Sequence, residues 1–212
     1  MAYGLVPLRY QNGSPITGGL AKGVIDKDAS TAFFKGDLIG IADSEENDNG
    51  ATGRVRGGFT VTVDTTGVIN AGIVSYFEYT DANGKFQVSK SVTAAEVAAA
   101  STAALEITVY YTPISEQLIC KCIADDVGTT LARTHIHSNF AFETATGGSA
   151  ITGLSGGMLD SSSTDTTSTL PLRLVGLYNV ANNDWGNTAG TVEVEVMFAS
   201  TVHKAGVAGL TS

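Results

Sequence analysis

Val192-Glu193-Val194-Glu195-Val196-Met197-Phe198 decides the fold class. Val192, Val194, Val196 and Phe198 fall on one side of an extended chain, Glu193 and Glu195 on the other. Period-two alternation of this kind belongs to a strand with one buried face and one wet face. Outward from it, weaker versions of the pattern recur. Residues 59–63 set Phe59, Val61 and Val63 against Thr60 and Thr62. Residues 68–80 are crowded with β-branched and aromatic side chains. They run into Asp81-Ala82-Asn83-Gly84, a turn that predicts a hairpin with residues 85–88. Residues 33–42 (kinked at Gly36-Asp37), 107–112, 117–124, 140–142 and 170–178 complete the expected strands.

One helix candidate stands out, with an Ala/Ser/Thr loop as the alternative. Thr93-Ala94-Ala95-Glu96 has the form of a capping box, and Ala-rich sequence follows to Leu105. Two loops are long. Residues 43–58 are acidic and then Gly/Arg-containing, and residues 144–169 pass through two Gly-Gly pairs and a Ser/Thr run. Loops of that length are usually functional or disordered. Residues 1–22 are punctuated by Gly4, Pro7, Gly13, Pro15, Gly18 and Gly19, and read as an extended arm that docks on something. The expected organisation is therefore an extended N-terminal arm, 1–22, and a single β domain, 23–212. The class is all-β: an antiparallel, jelly-roll-like sandwich or barrel with at most one short helix.

Composition agrees and excludes several functions. The chain has 212 residues, 43% hydrophobic and only 16% charged, with 25 glycines. Poverty in charge with abundant Gly, Ser and Thr favours strands and turns. Twelve basic against twenty-one acidic residues give a formal charge of −9. That excludes a phosphate-neutralising nucleic-acid surface and a polybasic membrane contact. No apolar run reaches transmembrane length, and the first ten residues lack a basic region followed by an apolar one. Two cysteines make no disulfide framework. A soluble protein made in a cytosol is expected.

Candidate chemistry is sparse. Gly153-Leu154-Ser155-Gly156-Gly157 matches G-x-S-x-G, with Asp160, Asp165 and His203 downstream. The strand-to-helix setting of a nucleophile elbow is missing, and a Gly/Ser loop is the plainer reading. Cys120-Lys121-Cys122 and His135-Ile136-His137 look like metal ligands. The strand context instead puts Leu118, Cys120, Cys122 and Ala124 on one face, as small core side chains. Asp43 to Gly50 is dense in oxygen ligands but lacks the EF-hand spacing, and Asp125-Asp126 reads as a turn. No phosphate loop or dinucleotide fingerprint occurs. No catalytic residue, metal ligand or cofactor is assigned, and the chain is read as a non-enzyme.

Gly4-Leu5-Val6-Pro7-Leu8-Arg9-Tyr10, Asn12-Gly13-Ser14-Pro15 and Gly18 resemble the opening of a family of tailed-phage virion proteins. These are encoded beside the major capsid protein and read as head decoration, or cement, proteins. Thr31 to Phe34 with Gly36-Asp37, the doublet Asp125-Asp126, Thr167 to Leu177, Asn183-Asp184-Trp185-Gly186 and the end from Val192 to His203 extend the resemblance. Val127 stands where the family commonly has Pro. The resemblance implies an all-β body on the outer surface of the capsid, often a homotrimer, bridging capsomers of the major capsid protein against internal DNA pressure. It implies no nucleic-acid or membrane partner. Leu5, Pro7, Arg9, Tyr10 and Pro15 become the expected capsid-binding arm, and deleting residues 2–22 is expected to weaken attachment while leaving a folded body. Two other functions stay open. One is a different virion part (tail, neck or minor capsid). The other is a carbohydrate-binding sandwich with Trp185, Tyr110 and Tyr111 as a platform.

Overall fold

The computed structural model describes residues 2–25, 29, 31–41, 58–61, 69–103, 105–125, 130–143, 147–166, 170–186 and 192–199. Along them run β1 (Val6–Tyr10), β2 (Ala21–Ile25), β3 (Phe33–Phe34), β4 (Leu38–Ile41), β5 (Gly58–Val61), β6 (Ile69–Thr80), β7 (Phe86–Ser89), β8 (Ser91–Val92) and α1 (Ala94–Thr102). Then come β9 (Thr108–Pro113), β10 (Leu118–Ala124), β11 (Asn139–Phe140), β12 (Phe142–Glu143), β13 (Gly148–Ser149), β14 (Leu154–Ser155), β15 (Met158–Leu159), β16 (Leu172–Leu177) and β17 (Val192–Phe198). The class is all-β, as the sequence implies; of the sandwich and the barrel a barrel is present, and the helix candidate is a helix.

Five strands close a small barrel in the order β4-β5-β2-β9-β6, and β6 pairs back onto β4. The length of β6 makes this possible. Its first half pairs with β4, and its second half, beyond a bulge at Val74/Tyr76, pairs with β7 on the same edge. The bulge bends the strand, which is how barrels turn corners. β2 and β5 are parallel, a departure from the expected all-antiparallel sheet. A long connection permits this; a tight hairpin does not.

The second sheet runs β11-β16-β17-β10-β15-β12, with β1 also paired to β10. β10 is its centre. β17 lies along one edge of β10. On the other edge, β1 covers residues 118–121 and β15, parallel, meets Ala124. The burial of β17 alternates strictly, as its sequence predicts.

Two cores result. One fills the barrel with Phe33, Ile39, Phe77, Val92 and Val109, lidded by Val97 and Ala100 of α1. The helix starts where the sequence says: the Glu96 N–H donates to Thr93 Oγ1 at 3.2 Å and the Thr93 N–H to Glu96 Oε2 at 2.8 Å. The other core joins Leu118, Cys120, Cys122, Leu172, Leu174, Val194 and Val196 of the second sheet to Leu38, Ile73 and Ile114 of the barrel side. Leu38 and Ile73 sit on barrel strands, so the barrel wall and the second sheet share this apolar layer.

Within the stretch 144–169, the described residues 147–166 are not a plain loop. They carry the two-stranded β13–β14 pairing, β15 and a one-turn 3-10 helix, Ser161–Ser163. Two-residue strands are too short to leave a periodic signal in sequence.

Candidate functional site

The N-terminal segment lies on the second sheet. Leu5 is 1% exposed and belongs to the core shared by the two sheets. β1 then pairs antiparallel with β10, with a register shift between Pro7 and Arg9. Proline cannot donate to a ladder and is tolerated at an edge or a bulge, and β1 offers both. The Arg9 guanidinium reaches across to Glu195 on β17 in a bidentate pair, with Nη1–Oε1 2.9 Å and Nη2–Oε2 2.7 Å. Tyr10 packs against the same core as Leu5.

Beyond Tyr10 the chain leaves the sheet as a hook. The Tyr10 N–H donates to the Ser14 carbonyl and the Gly13 N–H to the Tyr10 carbonyl, both at 2.9 Å. The Ser14 N–H bonds Asn12 Oδ1 at 3.0 Å. Pro15 returns to form an isolated bridge with Arg9. Gln11 to Pro15 and Thr17 to Leu20 are exposed, while Ile16 packs inward.

Of the expected arm residues, Leu5 is thus buried, Pro7, Arg9 and Tyr10 are engaged by the chain's own sheet, and Pro15 stands in the exposed hook. Ala21 and Lys22 already belong to β2, in the barrel. Deleting residues 2–22 would remove one strand, part of another and a core leucine. The expected folded body does not follow from that deletion.

The base of the arm is locked by two glycines. Gly4 (φ +71) and Gly36 (φ +94) both adopt left-handed backbone. A Cβ on Gly4 would overlap the Gly36 carbonyl and Ser155 Cβ, and one on Gly36 would overlap the Tyr3 carbonyl. The Leu5 N–H donates to the Gly36 carbonyl at 2.8 Å. Beneath them, Asp37 is 3% exposed. Its Oδ2 accepts the Phe34 N–H at 2.7 Å. Burial pushes its carboxyl up to about 6, opposed by the hydrogen bonds from Ser155 and Phe34. Beside this junction, a groove of about 270 Å³ runs between the arm and β6, lined by Tyr3, Leu5, Pro7, Lys35, Val74 and Leu154.

Ser155, the serine of G-x-S-x-G, is therefore a structural hydroxyl. It is 1% exposed and accepts the Gly157 N–H at 2.9 Å. Cys120 and Cys122 are free and buried in the shared core, as their strand face predicts. Burial pushes the Cys122 thiol up to about 12. His135 Nδ1 accepts the Ala132 N–H at 3.2 Å and its ring meets Phe140 edge-on. Among the described residues these cysteines and histidines form no three-ligand group. His203, Asp126 and the acidic stretch Asp43 to Gly50 lie outside the described residues.

The aromatic residues weighed as a sugar platform are dispersed. Trp185 packs on the shared core and Tyr111 on the barrel core, while Tyr110 stacks on Tyr76 with ring centroids 4.4 Å apart. A different aromatic cluster, unmarked in the sequence, flanks the arm. Lys121 Nζ sits 4.9 Å from the Tyr3 ring and 4.7 Å from the Tyr178 ring, and 3.4 Å from Glu193. Tyr3 and Tyr178 come from opposite ends of the chain, so no local pattern could join them.

The chain matches no family model, no curated protein and no solved structure.

Proposed function

We propose that this chain is a decoration, or cement, protein of a tailed-phage head. In this reading it seats on the outer surface of the shell, bridges neighbouring capsomers of the major capsid protein and acts as a homotrimer. The observation that carries the reading is where the sequence blocks resembling that family fall. Gly4 interlocks with Gly36, with Asp37 buried beneath them. Leu172, Leu174, Val194, Val196 and Trp185 gather at the core on which that junction rests. Described parts of several of these blocks thus meet around one core, which supports reading them together.

The hook supplies the contact. Its base is a strand held by main-chain bonds and the Arg9–Glu195 pair, and its tip, Gln11 to Pro15, projects exposed. A pre-ordered projection loses little entropy on docking. Several hooks in one oligomer gain avidity without any single strong contact. The work is mechanical: opening a joint between capsomers also means breaking the contacts of the protein that spans it. A charge of −9 suits the solvent side of a shell and not its DNA side.

The test is co-sedimentation with heads stripped of decoration, using the intact chain and a variant with Asn12–Thr17 replaced by Gly-Ser. Saturable binding of the intact chain at high copy number supports the reading, and weakened binding by the folded variant assigns the hook. No binding of the intact chain overturns the reading. Binding at the low copy number of a neck component moves the protein to another virion role.

A further inference from the structure

Asp125, Glu143 and Asp160 each present a carboxylate oxygen to one small volume, and these oxygens all lie within 4.8 Å of one another. Three segments bring them there. Asp125 directly follows β10, Glu143 ends β12 and Asp160 directly follows β15. β15 is the organiser, pairing with the end of β10 at Ala124–Leu159 and with β12 at Phe142–Leu159 and Glu143–Met158. Asp125 is buried, at 8% exposure. Asp125 Oδ1 accepts the Ser161 N–H at 2.7 Å. Asp160 Oδ1 accepts the Ser162 N–H at 2.8 Å and its hydroxyl at 2.7 Å. All of these donors are neutral. Among the described residues no Lys, Arg or His forms an ion pair with any of the three carboxylates. Like charges this close raise each other's energy unless a cation sits between them.

A second observation falls at the same place. Ser161 is wholly buried, and its hydroxyl has no hydrogen-bond partner. Among the described residues only the Tyr3 hydroxyl shares that condition. An orphaned buried hydroxyl is costly and rare in native proteins. Ser161 follows Asp160 in the chain, and its own N–H touches the Asp125 carboxylate. The unmatched oxygen is therefore one residue's reach from two of the three acids.

We propose that Asp125, Glu143, Asp160 and the Ser161 hydroxyl bind a calcium ion. The donors are all hard oxygens with no nitrogen or sulfur, the set that calcium takes and zinc or copper does not favour. Ca–O distances of 2.3–2.6 Å let ligand oxygens stand up to roughly 5 Å apart, so three oxygens within 4.8 Å of one another fit one such shell; Mg²⁺ demands near-ideal octahedral geometry and gives up its waters reluctantly. Solvent completes the six to eight oxygens of the shell. The ion offsets two of the three negative charges and gives the Ser161 hydroxyl a partner. It also ties the end of the central strand β10 to β12 and to the segment that follows β15.

The test is thermal unfolding of the full chain in EDTA, in 5 mM CaCl₂ and in 5 mM MgCl₂, with retention of ⁴⁵Ca²⁺ on equilibrium dialysis. Wild type should bind one Ca²⁺ and gain roughly 5–10 °C at saturation. Glu143→Gln should bind at least ten-fold more weakly. In EDTA that variant should melt above wild type, because one of three repelling charges is gone, and in CaCl₂ below it. Ser161→Ala should weaken binding with the fold retained in EDTA. No ⁴⁵Ca²⁺ retained by wild type, a calcium shift undiminished in Glu143→Gln, or an equal shift from Mg²⁺ would each overturn the proposal. The second of these would move the ion to the other acidic stretch, Asp43 to Asp48.

Discussion

Leu38 and Ile39 are chain neighbours, both 0% exposed, and they sit in two different cores. Successive side chains on a strand point to opposite faces. β4 is therefore a wall with an apolar layer on each side: Leu38 reaches the second sheet and Ile39 the barrel interior. Because one strand serves both cores, neither can be lost alone. Leu38→Ala and Ile39→Ala should each cost about 2–5 kcal/mol. Each should shift a single urea transition, followed by Trp185 fluorescence and by far-ultraviolet dichroism. Two separated transitions in either variant would show that the cores unfold independently.

Asp37 makes stability fall as pH rises. Its folded pKa, about 6, lies above the ordinary 3.8, so the folded state holds its proton more tightly than the unfolded chain does. The contribution is full below pH 4 and is lost as pH rises through about 6. It is on the order of 3 kcal/mol for a shift of this size. Asp37→Asn lacks this term, so the stability difference between wild type and variant should change across pH 4–6 and be flat above pH 7. Parallel pH profiles for the two proteins would refute the assignment.

Gly4 and Gly13 separate two reasons for a glycine. Both have left-handed backbone, with φ of +71 and +81, but only Gly4 has neighbours that a Cβ would strike. Gly13→Ala should cost about 1 kcal/mol, the conformational part alone. Gly4→Ala must also part the arm from Gly36 and should cost clearly more. Equal losses for the two would show that the arm does not press on Gly36.

The Arg9–Glu195 pair is partly exposed, at 40% and 14% for the two side chains. Solvent screening holds such a pair to about 1 kcal/mol or less. Glu195→Gln should lower stability by that amount at low salt, and the difference should shrink in 1 M NaCl. A loss that persists undiminished at high salt would assign the effect to packing.

Both cysteines should resist a thiol reagent in the folded protein and react fully in denaturant. They are 0% exposed and free. Reaction of either under native conditions would take it out of the core.

What the sequence conveyed depended on period and length. β17 and β10 were readable because seven residues each give a pattern time to repeat. The helix was readable because its cap is local, Thr93 to Glu96. β1 was not, because all five of its residues are half-buried and none alternates. The partner that makes it a strand begins at Leu118, far beyond any local window. β13, β14 and β15 were hidden by their two-residue length. The carboxylate cluster escaped for a related reason: Asp125, Glu143 and Asp160 look like separate turn residues until β15 draws their strands together.

The pairing of β1 sets an order for biosynthesis. Its ribosomal exit comes first, yet the carboxylate that clamps Arg9 lies 186 residues downstream. At 5–20 residues per second, roughly 10–40 s pass between the two. β1 is an open strand edge for the earlier part of that interval, until β10 is made, and Pro7 is the kind of residue that keeps such an edge from pairing with a stranger. The ladder to β10 and the bonds of the hook can form well before Glu195 is made, so the Arg9 clamp is the last of the arm's contacts to become available.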